Sequence, residues 1–174
     1  MFDCIDHPAK TGSLLKGGLL AAVIVVSSVF GNLVFSEVSA AVPSDAAAGI
    51  QSRKDHFKEL EDALRAIRRE LGKPNPDLTT MRDRSKRVGA LASQLPTWFP
   101  VGTGPESGFD TEAEASIWQQ PAEFHRVAQV LADQAALLDA ASAQGDVPAI
   151  RQKLHDVGGS CQSCHDRFRN DSWW

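Results

Sequence analysis

Near the C-terminus, two cysteines are separated by two residues and followed directly by a histidine: Cys161, Cys164 and His165. On a helix, positions i, i+3 and i+4 share one face, so the two thiols and the imidazole would point to the same side. This pattern is typical of c-type haem attachment, in which two thiols bond to one porphyrin and the imidazole binds its iron. We therefore expect one covalent haem c per chain, held by Cys161 and Cys164, with His165 as the axial iron ligand.

Paired cysteines also serve other chemistries. In thioredoxin-like redox proteins a Cys-x-x-Cys pair opens a helix after a strand, and no βαβ pattern is visible in this sequence. A zinc site needs four ligands, and the only other cysteine, Cys4, lies in the N-terminal segment considered next. In a third interpretation the chain is a structural helical module and the motif is fortuitous. The adjacent histidine and the N-terminal segment both favour haem.

Residues 1–40 have the pattern of a secretory leader. Two lysines precede the apolar stretch Leu19–Phe35, and Val38-Ser39-Ala40 matches the small-x-small site of a signal peptidase. We expect cleavage near Ala40, a single domain over residues 41–174 and a periplasmic protein, since bacteria complete haem attachment outside the cytoplasm. The alternative is an uncleaved membrane anchor, because the apolar stretch is about as long as a spanning helix needs.

The composition limits the function classes. The 174-residue chain has a formal net charge of −4 and no basic stripe, which argues against nucleic acid as a partner. No acid–base pair or activated nucleophile is visible, so the sequence does not predict an enzyme with an organic substrate.

Apolar residues recur at intervals of three and four, and no strand pattern is present. The expected fold is therefore all-α, an antiparallel four-helix bundle with covalently bound haem c in the bundle core. The third element should begin near Asp110, because Thr111 and Glu114 form a capping-box pattern. Pro121 should start its main helix, and Gly145 should end it. The other three helices are expected at about 44–71, at about 76–95, and from about Asp146 onward.

One residue breaks the apolar pattern of the first helix. Arg53 occupies the same seam as Ile50, Phe57 and Leu60, where an aliphatic residue would be expected. A guanidinium in that position needs either an anion or a route to solvent. Both possibilities are open from the residues alone.

Over about residues 45–170 the chain resembles the cytochromes c′, a family of exported four-helix bundles with the haem motif in the last helix. Residues 158–169 are similar to the family's pattern around that motif, including Phe168 and Arg169 after the histidine. Leu95-Pro96-Thr97-Trp98-Phe99-Pro100 resembles its inter-helix loop, which we expect to pack its rings inward. Trp118 and Phe124 match its aromatic positions.

The resemblance implies further roles. Phe57 would lie over the empty sixth coordination position of the iron, and Arg53 would pair with a haem propionate. Arg169 would lie near the proximal histidine and influence its electrostatics and access. The resemblance also implies a homodimer formed through the first two helices.

The expected function follows from what the first helix lacks. Low-spin relatives take a sixth ligand from a methionine in that helix, whereas Met81 in the second helix is the only methionine beyond the leader. We therefore expect a five-coordinate, mostly high-spin haem with an apolar distal pocket that binds nitric oxide and carbon monoxide. The alternative is a six-coordinate electron carrier that serves redox partner proteins. The three other histidines outside the leader are expected to face solvent: His56, His125 and His155.

Overall fold

The structure, a computed structural model, describes residues 43–170, so the predicted leader and its cleavage site lie outside the described residues. Within this range the chain is helical, and its only β pairing is one isolated bridge. None of the described helices combines the length and apolarity needed to cross a bilayer. The α-helices are α1 (Pro43–Leu71), α2 (Leu78–Gln94), α3 (Ser116–Gln119), α4 (Pro121–Gln144) and α5 (Val147–Phe168), with 3-10 turns at Leu95–Trp98 and Pro105–Ser107.

The helix ends follow from local chemistry. Asp77 caps α2 by accepting a hydrogen bond from the Thr79 N–H at 2.9 Å, and Asp146 caps α5 by accepting one from the Ala149 N–H at 3.1 Å. Gly145 ends α4 with a φ of 71°, a left-handed conformation that favours glycine. The predicted start of α5 at Asp146 and the stop of α4 at Gly145 are therefore confirmed.

The four long helices form the predicted antiparallel bundle. α2 packs against both α1 and α4, and α4 packs against α5. Fully buried aliphatic and thioether side chains lie between them, including Ile67, Met81, Leu138, Ile150 and Val157. Each contributes about 1.5–3 kcal/mol by leaving water.

The first and last helices differ from the other neighbouring pairs. α1 and α5 approach each other much less extensively than any of the pairs α1–α2, α2–α4 and α4–α5. The bundle is therefore most loosely packed along this one seam, which is bordered by the helix that carries the cysteine motif.

The predicted start of the third element near Asp110 is wrong. The Thr111 hydroxyl does not cap a helix; it accepts hydrogen bonds from the Ala113 N–H at 3.2 Å and from Arg53 at 2.8 Å. Residues 112–114 instead run beside the end of α5, where Ala113 pairs with Arg169 in the isolated antiparallel bridge. This long-range pairing displaces the helix expected from the capping-box pattern, and the chain becomes helical only at Ser116.

Candidate functional site

The motif residues lie in the last third of α5. Cys161 and Cys164 are half-buried, are not joined in a disulfide and pack against the hydrophobic core. His165 is also half-buried and lies one helical turn from Cys161. The helix therefore presents two thiols and an imidazole from neighbouring positions, as the spacing predicts.

The environment of Cys164 does not favour thiolate chemistry. Burial raises the pKa of the Cys164 thiol to about 11, because the charged form would lose its hydration. Redox-active and zinc-binding cysteines react as thiolates and are found where the pKa of the thiol is lowered. In addition, no group of three or more His, Cys, Asp and Glu side chains within residues 43–170 could hold a metal ion. Neither the thioredoxin-like nor the zinc interpretation gains support.

A surface groove lies between α4 and α5. This groove, about 420 Å³ in volume, is lined by Val130 and Gln134 of α4 and by Ser163 of α5, among others. Cys161 and His165 lie about 160° around the helix from Ser163. Both motif residues therefore face away from this groove, and the groove is not part of their site.

The side of α1 that faces the seam with α5 follows from an ion pair. The Glu59 carboxylate accepts hydrogen bonds from Arg87 of α2 at 2.6 and 2.7 Å, so Glu59 marks the side of α1 that faces α2. Phe57 and Leu64 lie about 140–160° around the helix from Glu59. Both are apolar yet only half-buried, and they border the loosely packed seam from the α1 side.

These features fit a flat, apolar tetrapyrrole. Both sides of the seam carry partly exposed apolar side chains, Phe57 and Leu64 on α1 and Leu154 on α5. Large apolar groups at the edge of a core gain free energy when a further apolar surface covers them. The donor set of two uncharged thiols and one imidazole is that of covalent haem attachment. The residues present therefore fit the expected cofactor.

The Phe57 ring is held by aromatic neighbours from the loop after α2. Its centroid is 5.2 Å from that of Trp98 and 6.2 Å from that of Phe99, with edge-on geometry in both pairs. The rings continue from Phe99 to Phe124 of α4 at 4.9 Å and from there to Phe168 of α5 at 5.4 Å. The expectation that this loop packs its rings inward is confirmed, since Trp98 is buried and Phe99 is half-buried.

Arg53 does not reach solvent, because only 4% of its surface is exposed. Its guanidinium donates to the Thr103 hydroxyl at 3.0 Å, to the Thr103 carbonyl at 3.0 Å and to the Thr111 hydroxyl at 2.8 Å. It also lies 4.7 Å from the centre of the Phe99 ring. These partners are neutral, no carboxylate of residues 43–170 pairs with Arg53, and burial lowers the pKa of its guanidinium.

His56 does not face solvent as expected. Its ring stacks on the Trp98 indole with centroids 4.9 Å apart, and its Nδ1 is buried without a hydrogen-bond partner. A cavity of about 180 Å³ adjoins it, also lined by Arg53 and Trp98. The α1 periodicity indicates only that His56 lies off the seam; it does not reveal that the loop covers this side of the helix. His125 and His155 are exposed, as expected.

Arg169 lies one helical turn beyond His165 and donates its backbone N–H to the His165 carbonyl at 3.1 Å. Its side chain donates to the Glu112 carboxylate at 2.8 Å. Two backbone hydrogen bonds tie the same segments together, from Glu114 to Phe168 at 2.9 Å and from Asn170 to Glu112 at 2.7 Å. The end of the motif helix is thereby fixed to residues 112–114.

Sequence reasoning missed three residues at this site: Thr103, Thr111 and Glu112. Each acts on a predicted residue across more than 45 positions of sequence, since Thr103 and Thr111 bind Arg53 and Glu112 binds Arg169. Thr111 carried a visible pattern, but that pattern indicated a helix cap. No local signal in the sequence pointed to Glu112 or Thr103.

Comparisons with known proteins agree with this architecture. The family model described as Cytochrome C' matches residues 48–169. Cytochrome c′ from Rhodospirillum rubrum is 32% identical over 132 residues, covering 74% of this chain and 86% of its own length. Among solved structures, cytochrome c prime from Shewanella frigidimarina is 31% identical with a TM-score of 0.64, covering 75% of this chain and 98% of the other.

A nitric oxide complex of a mutant cytochrome c prime from Alcaligenes xylosoxidans is also similar. It is 25% identical with a TM-score of 0.65, and the match covers 75% of this chain and 98% of that one. The family match spans most of the chain and includes α5, the helix with the cysteine motif. The chain belongs to the cytochrome c′ family, whose members carry one covalently bound haem c.

Proposed function

We propose that the protein is an exported c-type haem protein with a five-coordinate, mostly high-spin iron that binds nitric oxide and carbon monoxide. Cys161 and Cys164 would form the two thioether bonds, and His165 would be the single protein ligand of the iron. A bound haem would supply an iron centre that can take one small ligand in addition to His165. Export is proposed from the leader pattern in residues 1–40.

The observation that carries the proposal is the chemistry of the α1 side chains that border the seam with α5. Phe57 and Leu64, which border the seam, have no atom able to ligate iron, and α1 contains no methionine. An apolar surface without hydrogen-bond donors does little to stabilise bound dioxygen, while nitric oxide and carbon monoxide tolerate it. Phe57 would act as a lid that small ligands displace.

Two arginines complete the proposed site. Arg53 would pair with a haem propionate, and support for this comes from its buried guanidinium, which has only neutral partners among residues 43–170. A guanidinium has five N–H donors, and the three hydrogen bonds to Thr103 and Thr111 leave others for an anion. Arg169, one turn after His165, would influence the electrostatics of the proximal side.

A homodimer is a further proposal. The exposed side chains of α1 and α2 are mostly charged. Among the large apolar side chains of residues 45–170 that are at least 37% exposed, only Leu78 belongs to these helices. A dimer formed through α1 and α2 would therefore have a polar interface. Such interfaces are salt-sensitive, so sedimentation at low and high ionic strength tests the proposal. A monomer under both conditions would contradict it.

The second candidate is a periplasmic electron carrier with a six-coordinate, low-spin haem. One observation favours it: His56 is next to Phe57 in the chain, is partly buried, and has an Nδ1 without a hydrogen-bond partner. Against it, the His56 ring is stacked on Trp98 and lies one helical step, about 100°, away from Phe57. A sixth ligand from His56 would require the loss of this stack.

Optical and resonance Raman spectra of both oxidation states separate the two candidates. We expect five-coordinate, high-spin spectra without added ligand, and a new spectrum after addition of nitric oxide. A low-spin, six-coordinate resting state that nitric oxide leaves unchanged would refute the gas-binding proposal. If replacing His56 by alanine converted that state to high spin, His56 would be the sixth ligand.

Substitution of Phe57 tests the lid. Phe57→Ala should speed carbon monoxide association with the ferrous protein, because the smaller side chain no longer covers the ligand position. Leu64→Ala is the matched control, since Leu64 lies two turns further along the same half-buried stripe. An equal effect of the two substitutions, or no effect of Phe57→Ala, would contradict the assignment of Phe57.

A further inference from the structure

Trp98 contacts two adjacent residues of α1: His56, and Phe57, the proposed lid. Its indole stacks face to face on His56, with ring planes 18° apart, and meets Phe57 edge-on, with planes 86° apart. Only 5% of Trp98 is exposed, whereas Phe57 is half-buried. Phe57 is therefore the more exposed ring of the pair, and Trp98 is the buried surface against which it rests.

The backbone around Trp98 is also well held. Trp98 ends the 3-10 turn Leu95–Trp98, in which Pro96 has a restricted φ. The next residue, Phe99, has its carbonyl bound by the Trp118 indole N–H at 3.1 Å, and its ring packs on Phe124 at 4.9 Å. The loop thus presents the Trp98 ring from a rigid support.

We propose that Trp98 is the positioning residue of the distal lid: its edge-on contact holds Phe57 in the closed rotamer and thereby sets the rate at which small ligands reach the iron. This inference rests on the proposed function, in which Phe57 is the lid. An edge-on aromatic pair shifts an equilibrium between two rotamers by about two- to tenfold. Loss of the Trp98 ring should change ligand access by the same factor.

The test is a double-mutant cycle on the haem-loaded protein. Carbon monoxide association is measured for the parent, Trp98→Leu, Phe57→Ala and the double variant. We expect Trp98→Leu to speed association about two- to tenfold in the parent and to leave the rate unchanged in the Phe57→Ala background. Trp98→Phe keeps an aromatic ring and should restore most of the parent rate.

A second readout does not involve ligand binding. The four proteins of the cycle are unfolded in urea and followed by far-ultraviolet circular dichroism. Direct contact between the two rings predicts that the effects on the unfolding equilibrium constant are non-additive by about two- to tenfold. Leu138→Ala serves as a destabilised control, because Leu138 lies about 20 Å along α4 from Phe124 and its loss should leave the association rate unchanged.

The outcomes distinguish this inference from the proposed function. If Phe57→Ala itself leaves the rate of carbon monoxide association unchanged, the proposal that Phe57 is the lid is refuted. Two results would refute the role of Trp98 while leaving Phe57 as the lid. In the first, Phe57→Ala speeds association but Trp98→Leu does not. In the second, Trp98→Leu has the same effect with and without Phe57. Strictly additive unfolding effects would refute the contact on which the inference depends.

Discussion

Arg53→Met is the substitution that most sharply tests how the loop is fixed to α1. Methionine keeps the apolar stem volume and removes the guanidinium, which binds the Thr103 carbonyl and two threonine hydroxyls. The hydroxyls each keep another partner, because Thr103 also donates to the Pro100 carbonyl and Thr111 also accepts from the Ala113 N–H. The Thr103 carbonyl is the acceptor left unpaired.

The cost of this substitution can be estimated from these contacts. An unpaired buried carbonyl costs about 1–3 kcal/mol, and loss of the cation–π contact with Phe99 costs about 0.5–2 kcal/mol. A sulfur–aromatic contact with Phe99 returns part of the loss. We expect a net loss of about 2 kcal/mol in the free energy of unfolding. This corresponds to a lowering of the urea midpoint by about 1 M.

The assay is urea unfolding followed by circular dichroism, with Lys54→Met as the matched control. Lys54 is the next residue along α1, and its ion pair with Asp110 is exposed, so its loss should cost less than about 0.5 kcal/mol. Arg53→Lys should recover only part of the stability, because an ammonium does not reproduce the fork of donors. Equal midpoints for Arg53→Met and Lys54→Met would refute the view that Arg53 fixes the loop.

Two further predictions concern the helix ends. Hydrogen bonds from Arg126, with a further contribution from Arg167, hold the pKa of Glu123 at about 2, below its unfolded value of about 4.3. The stability that this carboxylate contributes is present above about pH 4.3 and is lost as the pH falls toward 2. The difference in urea midpoint between the parent and Glu123→Gln should therefore shrink as the pH falls from about 4.3 to about 2. A difference that stays constant over this range would contradict the prediction. Asp146→Ala removes the cap on the Ala149 N–H and should cost about 1 kcal/mol in urea unfolding, whereas an unchanged midpoint would show that the cap does not contribute.

The helices could be predicted from the sequence because their signals are local. The start of α5 at Asp146, the stop at Gly145 and the register of the cysteine motif all depend on residues within one or two turns of each other. Burial of Arg53 could not be settled in this way. Its seam position was visible, but the choice between solvent and a buried partner depended on Thr103 and Thr111, which lie 50 and 58 residues away.

The two wrong expectations have the same physical origin. The capping-box pattern of Thr111 failed because residues 112–114 pair with the end of α5, and a distant backbone partner outweighs a cap worth about 1 kcal/mol. The solvent-facing prediction for His56 failed because the loop after α2 folds over α1 and places Trp98 on the imidazole. Helical periodicity describes one helix and does not indicate which loops cover it.

Peptide mass spectrometry of the purified protein tests the central claim that α5 holds haem covalently through its cysteine motif. The protein would be extracted with acidified acetone, reduced, alkylated at free thiols and digested. We predict that the peptide containing Cys161 and Cys164 retains the mass of one haem and carries no alkylation. Recovery of the same peptide without haem and with both thiols alkylated would contradict the account.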